Sequence, residues 1–318
     1  MTKNHCRFWL KFSSKVFLKK CRDGKFLQTC VHLNVAFILN ETPGMRWISL
    51  ILLFTLFCSV ASGQNYQQQD DLFFELPDST NIRDKNFFNV DNHIYKPGRE
   101  FKFSYQIIKN GDTLMVSVDK IGDPKTANWS FVKEKNADSF TIRYVSFKVL
   151  DGYGGLDHLF PDYSQTIIQQ NYYAANGLLF DGLTGIIENR RNVWLHPFRG
   201  KYFSVLEFSP FPYIKFPATS NTAWKWVLND ISDRWSDKRI IEYSGKQQAN
   251  YEYKITGSEL LNTPVGKLPC VVIEAVAKTS LGLTKLTSYF NQKFGFVELD
   301  YLNIDSSRIK FRLIEVVE

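Results

Sequence analysis

Between Glu188 and Pro217 the chain reads ENRRNVWLHPFRGKYFSVLEFSPFPYIKFP. Three guanidiniums (Arg190, Arg191 and Arg199), the indole of Trp194 and the imidazole of His196 lie close together there, with Lys201 just beyond. A guanidinium holds a carboxylate or phosphate through two parallel hydrogen bonds, and clustered rings make a dry wall beside it. These residues are therefore expected to form a mouth: aromatics line it, and Arg190, Arg191 and Arg199 rim it. The competing expectation is architectural: Trp194, Phe198 and Phe211 plug a barrel end, with the arginines stacked on ring faces or paired with acids. Downstream, TAWKWVLNDISDRW adds Trp224, Trp226 and Trp235, which suit stacking on sugars or packing on acyl chains.

Bond-breaking chemistry has thinner support. Beyond residue 63 the histidines are His93, His158 and His196, and none stands in an H-x-H or H-E-x-x-H spacing. Asp157, His158 and Asp162 follow a Gly-Gly turn and fit either an imidazole–carboxylate pair or an ordinary polar loop. There is no G-x-S-x-G elbow, no phosphate-binding G-x-x-x-x-G-K-[ST] loop and no dinucleotide fingerprint. Cys270 opens an apolar strand after Pro269, where a small buried side chain is the expected role. No metal site and no cofactor are expected. A glycosidase pair among the acids is defined by distance in space and leaves no mark in sequence.

Charge and hydropathy place the chain. Nine of its 39 lysines and arginines fall in residues 1–63, with only two of its 32 acids; thirty of each remain. The body is thus neutral, and the basic balance of the whole chain does not imply a nucleic-acid partner. MRWISLILLFTLFCSVASG, residues 45–63, has one positive charge, a fourteen-residue apolar run from Trp47 to Val60, and small residues at Ala61 and Gly63. This is the layout of an export signal cleaved near Gly63, and the run is shorter than the ~20 residues of a spanning helix. Cys58 follows Thr55-Leu56-Phe57, unlike a lipidation site, so a cleaved, exported, periplasmic or extracellular form without a membrane span is expected. Translation is expected to start at Met45, residues 1–44 being a misplaced start or a disordered extension.

The elements that must position the aromatic stretch are strands. Residues 64–92 read as a polar lead-in, and residues 93–318 as a single β-rich domain. In REFKFSYQII, Phe101, Phe103, Tyr105 and Ile107 share one face; Asn110-Gly111 then suits a tight hairpin turn into TLMVSVDKI. DSFTIRYVSFKVL, GLLFDG, YFSVLEF, KRIIEYSG, NYEYKIT, PCVVIEAVAK, LTSYFN, FVELDYL and RIKFRLIEVV continue the series. FPDYSQTIIQQNYYAA is the candidate for a short helix, and the prolines of SPFPYIKFP confine that segment to an edge or loop. The fold class is all-β and mainly antiparallel: an open or half-closed barrel or packed sheets, with at most one or two short helices.

Two parts of the chain carry a likeness. HIYKPGREFKFSYQIIKNGD and the ending from Asn262, through Pro264, Gly266, Tyr289, Phe290, Gly295, Phe296 and Val297, resemble secreted or periplasmic bacterial β-rich proteins of unknown function. That resemblance implies an open-barrel fold like that of periplasmic lipoprotein carriers. It is silent over residues 151–235, and fold likeness does not transmit function. The expected role is a non-catalytic envelope protein binding a hydrophobic or amphiphilic ligand such as a lipid. The alternatives are a hydrolase of glycans or other envelope polymers, and an interaction module pairing through exposed strand edges.

Overall fold

The computed structural model describes residues 66–69, 72–75, 92–120, 122–152 and 165–318. Residues 1–63, most of the lead-in, and the Asp157–His158–Asp162 group lie outside the described residues.

Every pairing among the described strands is antiparallel. Strands β1 (Tyr66–Gln69) and β2 (Leu72–Glu75) form a hairpin of their own. Then come β3 (Glu100–Lys109), β4 (Asp112–Val118), β5 (Trp129–Val132), β6 (Tyr144–Val149), β7 (Thr166–Ala174), β8 (Gly177–Glu188), β9 (Asn192–Leu195) and β10 (Tyr213–Lys215). The last six are β11 (Ala223–Ile231), β12 (Gln247–Thr263), β13 (Gly266–Thr279), β14 (Gly282–Asn291), β15 (Gly295–Leu302) and β16 (Arg308–Val317). The main sheet runs β10-β9-β8-β7-β6-β3-β16-β15-β14-β13-β12-β11, with β4 and β5 branching from β3. The expected hairpin at Asn110-Gly111 joins β3 to β4, with φ of 53° and 81° at the two turn residues.

The ends of this sheet, β10 and β11, do not pair with each other. They meet through rings instead. Tyr213 on β10 lies 5.5 Å from Trp224 on β11 and 5.4 Å from Tyr253 on β12; Trp194 on β9 lies 5.8 Å from Trp226 on β11. The sheet therefore curls into an open barrel whose seam is sealed by aromatic packing, and the expected fold class holds.

Three local expectations are corrected. KYFSVLEF is not a strand but a 3-10 helix, Lys201–Phe208, in which Tyr202, Phe203, Val205, Leu206, Glu207 and Phe208 are buried. Its alternation is spurious, because both faces are apolar. A segment apolar all round belongs inside, and an unpaired strand there would leave buried N–H and C=O groups unmet. Helical turns satisfy some locally, as in Phe203 N–H to the Gly200 carbonyl (3.1 Å) and Ser209 N–H to that of Leu206 (3.0 Å). Phe203 packs against Tyr105, Tyr172 and Phe311 from three strands (ring centroids 5.1–5.8 Å), so the helix fills the barrel. Next, of the proposed helix over residues 160–175, residues 160–164 lie outside the described residues and Thr166–Ala174 is strand β7, where Ile167-Ile168 and Tyr172-Tyr173 favour extended chain. Finally, KRIIEYSG forms turns with one bridge, Asp237 to Ile241; the Asp237 carbonyl accepts from Ile240 and Ile241, and its carboxylate holds Arg239.

Candidate functional site

The site begins where β9 ends. Proline at 197 cannot donate to a ladder, and after Leu195 the chain leaves the sheet, carrying His196, Phe198 and Arg199 inward to the 3-10 helix. Glu207 comes from the last turn of that helix, and Trp226 from β11. A second 3-10 turn, Asp233–Trp235, supplies Arg234 and Trp235, while β2 brings Leu72 and Phe74. These side chains other than Phe198, with Trp194 and Phe211, border a cavity of about 360 Å³. That is within the usual ~300–1,000 Å³ of small-molecule sites.

Its polar wall is built from three groups. The Glu207 side chain is 7% exposed. Its Oε1 stands 3.8 Å from His196 Nε2 and 3.9 Å from Arg199 Nη1, both beyond hydrogen-bond reach. Among the described residues this oxygen has no hydrogen-bond partner, and the same holds for the buried Trp194 Nε1. Each unmet buried group costs about 1–3 kcal/mol, so the wall is poorly satisfied by the protein's own atoms. His196 is committed: Nδ1 lies 3.2 Å from the Pro197 carbonyl, and Nε2 lies 3.3 Å from Arg199 Nη1. That pair of contacts fits a neutral ring with its proton on Nδ1, accepting from the guanidinium at Nε2.

Burial controls the charges. It pushes the His196 ring down to about 3, with the Arg199 guanidinium adding to the effect. Burial also pushes the Glu207 carboxyl up to about 7, against the pull of Arg199 and then Arg234. Arg199 anchors its other end on the Leu183 carbonyl (Nη2, 2.9 Å) and lies 5.9 Å from the Trp235 ring; Arg234 stacks on the same ring at 4.7 Å. One indole thus carries two guanidiniums, and both border the cavity.

Trp194, His196 and Arg199 of the expected set converge on this cavity, but Arg190 and Arg191 do not line it. They sit exposed in the turn between β8 and β9, at the opposite end of β9 from His196, where Arg191 covers Phe73 at 4.9 Å. Of the other tryptophans, Trp226 and Trp235 line the cavity, whereas Trp224 stacks on Tyr253 at 5.3 Å in the seam. Phe198 plugs the barrel against Phe103 and Phe311. The architectural expectation is therefore met at Phe198, while Trp194 and Phe211 serve both wall and packing. Glu207 leaves a single signal in the sequence, a lone acid inside an apolar run. Cys270 is buried, its thiol pushed by burial up to about 11. No group of three potential metal ligands occurs among the described residues.

No family model and no curated protein matches the chain. Several solved structures show a distant likeness. A protein assigned as exported, with a YmcC-like fold, from Bacteroides fragilis is 10% identical; the match covers 71% of this chain and 98% of that one, with a TM-score of 0.35. A protein assigned as a lipoprotein, from Parabacteroides distasonis, is also 10% identical, covering 70% and 97%, with a TM-score of 0.36. The hypothetical lipoprotein YmcC of Escherichia coli is 8% identical, covering 72% and 93%, with a TM-score of 0.28. These neighbours are bacterial proteins described as exported or as lipoproteins. Likeness at this level fixes neither site nor ligand. No helix among the described residues is long and apolar enough to cross a membrane.

Proposed function

We propose that this is an exported envelope protein, cleaved near Gly63, that binds a hydrophobic or amphiphilic ligand in the cavity between β9, β11 and the Lys201–Phe208 helix, without breaking a bond in it. One observation carries the reading. A cavity walled by Trp194, Phe211, Trp226, Leu72 and Phe74 also has Glu207, His196 and Arg199 in its lining, and two buried polar atoms of that lining, Glu207 Oε1 and Trp194 Nε1, make no hydrogen bond among the described residues. Apolar walls with a few unmet polar groups are what an amphiphile completes. The neutral, doubly committed His196 supports a binding role over proton transfer, since a ring held near pKa 3 is a poor base at neutral pH.

The test is tryptophan quenching by a bromine-labelled acyl chain. Saturable quenching in the wild type, reduced at least fivefold in amplitude by the combined change Trp194→Phe, Trp226→Phe and Trp235→Phe, is expected. Quenching that rises linearly without saturation would overturn the reading.

A hydrolase is the second reading, and one observation favours it: a carboxyl held near pKa 7 suits a general acid. If it holds, the purified protein releases fragments from labelled envelope glycans and Glu207→Gln abolishes the release. The binding reading predicts none from either protein.

A further inference from the structure

A second cavity, of about 250 Å³, adjoins the first, and Arg199 and Trp235 line both. Its other walls include Lys125, Gln170, Tyr172, Phe180, Asp181 and Lys201. Three cations and one carboxylate therefore border it. The carboxylate is committed: Asp181 takes Lys125 Nζ at 2.6 Å and the Gln169 amide at 2.9 Å.

Lys201 is different. Its ammonium donates to the backbone carbonyls of Lys125 (2.8 Å) and Ala127 (2.7 Å) and lies 5.2 Å from the Phe180 ring. An ammonium has three N–H donors, so one is left over. Among the described residues no carboxylate stands at ion-pair distance from it. Partial burial pulls its pKa down, against the more distant attraction of Asp123 and Asp119.

The backbone is shaped to hold that cation there. Lys201 has φ of 59°, a conformation uncommon for a residue with a side chain. Before it, a Cβ on Gly200 would come within 2.6 Å of the Tyr172 ring and 2.7 Å of Phe180. The Tyr172 hydroxyl accepts from the N–H groups of both Arg199 (3.1 Å) and Gly200 (2.7 Å). Backbone strain persists where its surroundings over-determine it, and it gathers at ligand sites.

We infer that the second cavity is the anionic subsite of the same ligand, seating a phosphate or carboxylate between Lys201 and Arg199 while the apolar body lies in the aromatic cavity. This rests on the amphiphile reading and adds the class of headgroup. The oxygens of the anion complete the spare donor of Lys201, and Arg199, shared by both cavities, marks the junction of head and body.

Calorimetric titration of the full chain with octyl phosphate, octanoate and octyl glucoside tests it. At least one of the two anions should bind about tenfold tighter than the neutral glucoside, as a charge-assisted hydrogen bond predicts; the tighter anion identifies the headgroup as phosphate or carboxylate. Lys201→Met should remove that preference while leaving octyl glucoside within twofold, and Lys201→Arg should keep most of it. Equal affinity for charged and neutral probes in the wild type, or an equal fall for both in Lys201→Met, overturns the subsite alone. Binding of none of the three probes overturns the amphiphile reading with it. Should Lys201→Met fail to fold, the wild-type preference must still shrink between low and high salt, and a preference insensitive to salt overturns the subsite.

Discussion

At the residue scale, Glu207 and His196 make opposite demands on pH. The carboxyl is held near 7 when folded and titrates near 4.5 when free, so the folded state binds the extra proton between those values. Stability that Glu207 lends below about pH 4.5 is lost as pH rises through 7. His196 works the other way: folded near 3 and free near 6.5, it supports the fold above pH 6.5 and loses that support as pH falls toward 3. Because the windows overlap, single variants separate them. Glu207→Gln is expected to gain stability relative to wild type at pH 8 over pH 5, by roughly 1–3 kcal/mol. His196→Asn should flatten the acid side instead. Urea denaturation at pH 4, 5, 6.5 and 8 checks both, and a Gln variant whose difference from wild type does not change with pH would contradict the burial of an ionisable Glu207.

At the element scale, the buried 3-10 helix and the aromatic seam set the architecture. Phe203 touches rings on three strands, so Phe203→Ala should cost about 3–5 kcal/mol. Leu260→Ala, on an exposed hairpin arm, should stay within about 0.5 kcal/mol. Denaturant midpoints read both, and equal costs would mean that the helix is not a core element. The seam makes a separate prediction. Removing Trp224, which joins Tyr213 and Tyr253, should speed amide exchange in β10 and β11 and leave β15 and β16 protected. Uniform acceleration across the sheet would show that the seam is not an independent unit.

These same elements show what the sequence made legible. The β3–β4 hairpin was readable because apolar alternation ends at Asn110-Gly111, where pattern and turn chemistry agree. The prolines at 210, 212 and 217 marked an edge, and β10 is one. Residues 201–208 carry period two only in part, because both sets of alternate positions are apolar. Placing the segment inside a barrel is a tertiary fact, and Glu207 became a site residue only through it. Arg190 and Arg191 are near Arg199 in sequence, yet strand β9 separates them. The four residues of β9 stand between Arg191 and His196.

At the scale of the whole molecule, the proposed ligand-holding role rests on an antiparallel sheet curled into an open barrel and on paired cavities at one end of β9. The barrel interior is filled by Phe103, Phe147, Phe198, Phe203 and Phe311, so its capacity lies in the two cavities rather than in a hollow core. The ligand is accordingly expected to be small, with a short apolar body and one polar head. Native mass spectrometry of the gently purified chain measures this most directly. The account predicts one bound amphiphile per chain, lost on Trp226→Ala and Lys201→Met together. A clean unliganded mass that also persists after incubation with octyl phosphate and with octanoate would contradict it.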